Sequence, residues 1–186
     1  MVKYLEDTEI KNLSGDAFTL LINIFDEKNT DIYTEKFVIK VQESLSYIDD
    51  DDTLNSLISI LVCLVPIYEL KSSDASDITK NPVLNDFVNK EVEGREELYR
   101  EKVISITNKS GFYRMDKCCE TINIILNKES MKNYYFNAND LNALIDILLR
   151  EAQTNADSDT RAQIFKLIET IVQNKTWVDA GKEKID

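Results

Sequence analysis

Histidine is absent from this 186-residue chain, and that absence removes much of enzyme chemistry. Serine–histidine and cysteine–histidine pairs both need an imidazole to take the proton from the nucleophile. Mixed Cys/His zinc sites lose part of their ligand set as well. Cysteine is scarce too. Cys63, Cys118 and Cys119 are odd in number and form no Cys-x-x-Cys, and each sits in an apolar helical pattern. Buried free thiols in a reducing compartment are therefore expected. Only 4 glycines and 2 prolines are present, which excludes a turn-rich β architecture and favours long helices with short polar links. Basic residues are outnumbered 22 to 34, for a formal net charge of −12. With no Lys/Arg run to follow a phosphate backbone, no nucleic-acid partner is expected. An anionic membrane surface repels such a chain. The N-terminal MVKYLEDTEI has no apolar signal core, and no apolar run approaches transmembrane length, so no direct membrane insertion is expected. There is no Ser-x-x-Lys, Walker A loop or GxGxxG motif. The run Asp49, Asp50, Asp51 and Asp52 lacks the glycine and terminal glutamate of a calcium loop. The expectation is a protein that is not an enzyme and needs no cofactor or metal.

What is present is helix. Hydrophobic residues make up 43% of the chain and charged residues 30%, enough for a real core. Eight periodic segments follow one another, near residues 16–27, 32–48, 53–70, 82–88, 96–108, 114–127, 134–151 and 160–174. The third is apolar nearly all round, as a helix buried on several sides must be, and Pro66 is expected to kink or end it. Asn81-Pro82 opens the fourth, with proline at a tolerated first-turn position. Helix centres fall about 20 residues apart, so helix pairs repeat at about 40, the HEAT/armadillo period. The expected fold is all-α: a right-handed, solenoid-like armadillo/HEAT stack of about eight helices. It would form a single domain over residues 1–176, with a polar tail at 177–186. In such a stack alternate loops share an edge. That puts Asp49, Asp50, Asp51 and Asp52 beside Glu91, Glu93, Glu96 and Glu97 as an acidic rim, which is either a solvated edge or a docking surface for a basic partner.

The most regular stretch is YYFNANDLNALIDILLRE, residues 134–151. Leu141, Leu144, Ile145, Leu148 and Leu149 make one helical face, and Asn139 or Asp140 is placed to cap the start. Asp146 and Arg150, spaced i,i+4 away from that face, suit an ion pair or a partner contact.

Phe136, Asp140, the run Ala143-Leu144-Ile145-Asp146-Ile147 and Arg150 together resemble the leucine-rich domain of the Nck-interacting SH3 protein family, also called WISH or DIP. Two further segments agree in order: residues 81–88 followed by Tyr99-Arg-Glu-Lys, and residues 159–174 from Thr160-Arg161 to Ile171-Val172-Gln173-Asn174. The resemblance covers about residues 81–177. Asn137 departs from it, standing where the family often has a second aromatic, and no Src-homology 3 domain or proline-rich region is present. The resemblance implies an armadillo-repeat domain that binds the actin-related protein 2/3 complex. It also implies switching that complex on without a pre-existing filament, seeding a linear one, in the cytoplasm at the actin cortex and in settings such as endocytosis. Asp140, Asp146, Arg150 and Glu151 become candidate partner contacts, and a monomer is expected. The alternative is an armadillo-type adaptor, without nucleation activity, holding a basic peptide or small GTPase along Asp49, Asp50, Asp51 and Asp52.

Overall fold

A computed structural model of the chain describes residues 35–48, 50–72, 74, 76–108 and 114–183; the helix expected at 16–27 lies outside the described residues. Among the described residues there are eight α-helices and no strand, the all-helical architecture that the periodicity predicts. The chain divides into two compact units, Met1–Lys102 and Val103–Asp186, where the even helix spacing suggests one domain.

The first unit is built around α2. Helix α1 (Glu35–Ser44) ends in a 3₁₀ turn, Leu45–Tyr47, and α2 spans Asp51–Lys71. Asp50 caps α2 by accepting a 2.7 Å bond from the Thr53 N–H. Asp51 and Asp52 in the first turn and Lys71 in the last complement the helix dipole. Every residue from Leu57 to Ile67 is buried, so α2 is the core of this unit, packed on by α1 and by α3 (Pro82–Phe87). Pro66 does not end the helix, which continues five residues to Lys71. The sequence expectation of no membrane-length segment is also revised: α2 has 21 residues and holds an 18-residue stretch of mean hydropathy 1.7, long and apolar enough by length and composition to cross a bilayer. Here its apolar surface is spent on the other helices of the unit instead. Asn81 starts α3, its Oδ1 accepting from the Leu84 N–H at 3.3 Å. Its Nδ2 donates at 3.0 Å to the Val65 carbonyl beside Pro66, so one buried side chain both caps a helix and ties it to α2. Helix α4 (Arg95–Asn108), whose residues from Val103 onward belong to the second unit, follows a turn at Gly94, whose φ of +74° lies where side chains are disfavoured. Tyr99 of α4 stacks on Phe87 at 4.2 Å and donates a 2.5 Å bond to Asp86.

In the second unit, α5 (Met115–Asn127), α6 (Ala138–Thr154) and α7 (Ser158–Gln173) pack with α7 against both α5 and α6. A helix that touches both its predecessor and the one before that is the packing a helical stack requires. Asp157 caps α7 through a 2.7 Å bond from the Thr160 N–H. The segment expected as a polar tail contains a helix, α8 (Lys175–Glu183). It is anchored where Trp177 Nε1 donates to Asn142 Oδ1 at 2.9 Å and Thr176 Oγ1 to the Asn133 carbonyl at 2.9 Å.

Candidate partner-binding surface

The N-cap of α6 lies two residues before the first of those predicted for it. Asn137, not Asn139 or Asp140, is the N-cap: its Oδ1 accepts from the N–H groups of Asn139 and Asp140 at 2.9 and 3.0 Å. The Asp140 carboxylate accepts in return from the Asn137 N–H at 3.0 Å. This is a reciprocal capping box. Asp140, expected to meet a partner, is therefore committed to the helix start. Asn137, which looked like a departure from the family pattern, supplies the cap. Just upstream, Tyr135 and Phe136 are buried and meet edge to face at 5.0 Å.

The inward face of α6 is Leu141, Leu144, Ile147, Leu148 and Glu151. Ile145 sits on its flank, and Leu149 is 46% exposed, which corrects the stripe expected from the sequence. The rotation follows from where α7 and α8 pack: positions 141, 144, 148 and 151 share a line along the helix, and 149 falls on the far side. Asn142, Ala143, Asp146, Leu149, Arg150 and Gln153 form the outward face.

Arg150 does not pair with Asp146. Its Nη2 donates to Asn108 Oδ1 at 3.1 Å and to Glu151 Oε1 at 3.2 Å. Glu151 is 9% exposed, so its carboxylate is an internal group answered by Arg150 rather than a free contact. Asn108 lies at the C-terminal end of α4, where a cation is also favoured by the helix dipole. Of the four candidates from the resemblance, only Asp146 is both exposed and free of such a structural commitment. Exposed apolar groups in this unit that the sequence did not announce include Leu149, Phe165 at 57% and Val172 at 39%. Phe165 was legible in principle, because it falls one place off the Ile164, Leu167 and Ile171 line of α7.

In the acidic run, Asp49 lies outside the described residues. Asp50 is held by its cap, the Thr53 hydroxyl and then the Thr53 N–H keeping its carboxyl below the usual value. Asp51 forms a 2.9 Å ion pair with Lys102, and Asp52 is exposed. Residues 92–95 lie by the 3₁₀ turn that ends α1: Leu45, Ser46, Val92, Glu93 and Arg95 are among the residues lining a cavity of about 260 Å³. Lys102 thus brings positive charge to a run expected to be purely acidic. Glu91, Glu93 and Glu97 are exposed and Glu96 is half-buried.

Among the described residues no group of three or more Cys, Asp or Glu side chains is arranged to hold a metal. All three cysteines are buried, and none is in a disulfide. Burial, followed by the nearby carboxylates of Asp116 and Glu120, pushes the Cys119 thiol up to about 12, so it stays protonated at neutral pH and is no nucleophile.

The structure is that of an all-helical domain: outward helix faces with scattered apolar groups, and polar side chains that mostly serve helix ends. The family model for the SPIN90/Ldb17 leucine-rich domain matches residues 50–184, and the chain belongs to that family. The match takes in α2 and its cap as well as the segments from residue 81 onward that carry the resemblance. Membership associates the chain with actin-related processes and with actin-regulatory protein interactions. No curated protein and no solved structure matches the chain.

Proposed function

We propose that this domain binds the actin-related protein 2/3 complex and activates it without a preformed filament, so that a linear actin filament is seeded. The observation that carries the reading is the family match across residues 50–184, which spans all of α2 to α8. The mechanism is a population shift: the domain binds the active arrangement of the complex more tightly than the inactive one, and the difference in affinity sets how far activation goes. The domain itself performs no covalent chemistry and acts in the cytoplasm at the actin cortex. The contact surface assigned to it is the outward side of α6 and α7, through Asp146, Leu149 and Phe165. These groups are exposed and are not consumed by caps or inter-helix bonds.

The test is assembly of fluorescent actin with purified complex and no preformed filaments. The domain is expected to shorten the lag and to yield unbranched filaments. No acceleration together with no co-precipitation of the complex would refute the proposal. Binding without acceleration would reduce it to an adaptor. The second reading, an adaptor for a basic peptide or small GTPase, rests on the exposed carboxylates of Asp50, Asp51 and Asp52. Reversing their charge distinguishes the two, since it removes binding of a basic peptide and leaves a shape-based interface largely intact.

A further inference from the structure

Arg95 is a buried cation of the first unit. It is 6% exposed, yet its partners are neutral. Nη1 donates to the Gln42 carbonyl and Nη2 to Ser46 Oγ, each at 3.2 Å, and the guanidinium lies 6.0 Å from the centre of the Tyr99 ring. No carboxylate among the described residues forms an ion pair with it. A buried cation without a counter-ion is unfavourable, and the usual remedy is an anion at hydrogen-bonding distance. Arg95 is also the first residue of α4, where the helix dipole adds positive potential. Glu96 and Glu97 in that turn answer part of it, though Glu97 is drawn to Arg100 at 3.5 Å.

The group at the tip of the guanidinium is the hydroxyl of Ser46, an exposed residue in a single 3₁₀ turn. Ser46 and Arg95 share the cavity of about 260 Å³, so there is room beside Oγ for a larger substituent. Glu93 is the one carboxylate lining that cavity. It is exposed, so water and salt screen its repulsion. In the sequence, Ser46 is followed from three residues on by Asp49, Asp50, Asp51 and Asp52, a pattern that suits a kinase with a basic substrate groove.

We infer that Ser46 is a phosphorylation site and that its phosphate is the counter-ion Arg95 lacks. In the modification, Ser46 Oγ attacks the terminal phosphorus of ATP. The Oγ–P bond forms, the bond to the bridging oxygen breaks and ADP leaves, while the hydroxyl proton passes to the base of the kinase. The phosphate then takes charge-assisted bonds from Nη2 and the remaining guanidinium N–H groups. The effect is to fasten residues 92–95 against the end of α1 and to make the neighbouring acidic corner more negative.

Two arms test this. The full chain is treated with ATP and a serine/threonine kinase that prefers acidic residues after its target, and the sites are mapped by mass spectrometry; Ser46 is expected among them, and S46A removes that site. Separately, phosphoserine is placed at position 46 during translation. Its second phosphate pKa, read by ³¹P NMR, is expected below the ordinary value of about 6, and the melting temperature is expected to rise on the order of 3 °C. R95Q should abolish both shifts and R95K retain part of them. If R95Q does not fold, the phosphorus titration of the folded R95K protein decides. Modification only at other serines overturns the site, and an unshifted phosphate pKa with an unchanged melting temperature overturns the pairing with Arg95.

Discussion

Asn81, Asn137, Asp157 and Asn174 each do their work at a helix end. Asn174, 7% exposed, donates from Nδ2 to the Lys132 carbonyl at 2.7 Å while its Oδ1 accepts from the Thr176 N–H at 2.9 Å. Side chains of this kind satisfy backbone groups that a helix leaves orphaned, so their loss should be felt as stability rather than as binding. Asp157 makes the case testable by pH. The Thr160 hydroxyl, and then its backbone N–H, donate to the carboxylate and hold it below its ordinary value near 3.8. Because the folded value is the lower one, the stability it contributes is fully present above the ordinary value. It is lost as pH falls through the folded value. Thermal melts from pH 7 to pH 2 should show D157N with a shallower acid-side decline than the unaltered chain; parallel curves would remove the cap from the account. The sequence announces such residues through the Asp/Asn-before-helix pattern. Which of several neighbouring Asn and Asp residues takes the role depends on local backbone angles, which is why Asn137 rather than Asn139 caps α6.

At the scale of the element, α6 shows what periodicity delivers and where it stops. Its existence and length follow from the leucine spacing, but its rotation does not, because the packing of α7 and α8 decides which of two adjacent stripes turns inward. Leu144 is buried in either reading, and Leu144→Ala is expected to cost about 2–5 kcal/mol by opening a cavity. Arg150 was placed by sequence between a surface ion pair and a partner contact. The structure gives it a third role, linking the end of α4 to the carboxylate of Glu151. Arg150→Ala should then cost about 1 kcal/mol, chiefly by leaving that buried carboxylate unanswered. Adding Glu151→Gln should recover part of the loss. Urea denaturation of the single and double variants checks both values; strict additivity would mean that the two side chains are not coupled.

For the whole molecule, the net charge of −12 and the outward apolar groups give opposite expectations for association. Binding steered by the acidic corner should slow steeply as salt is raised, since exposed charges are screened within about 10 Å at 0.1 M. Binding through Leu149 and Phe165 should change little. We expect the second behaviour in stopped-flow association with the actin-related complex. L149D is expected to weaken binding at least tenfold while shifting stability by no more than about 0.5 kcal/mol, as surface substitutions usually do. The all-helical class was legible in the absence of turn formers and in the regular spacing of apolar runs. The family was legible in polar residues whose placement looked functional. Most of those turn out to hold helix ends and junctions.

The buried thiols offer a clock for that scaffold. Cys63 lies in α2 of the first unit, and Cys118 and Cys119 lie in α5 of the second, all three fully enclosed. A thiol-blocking reagent reaches each only when its surroundings open, so labelling time converts into the free energy of local opening. With no substitution at all, mass spectrometry of the labelled chain reports on the two units separately. Matching rates at Cys63 and Cys119 would mean that the units open together, and divergent rates would identify which half yields first when a partner pulls on the domain.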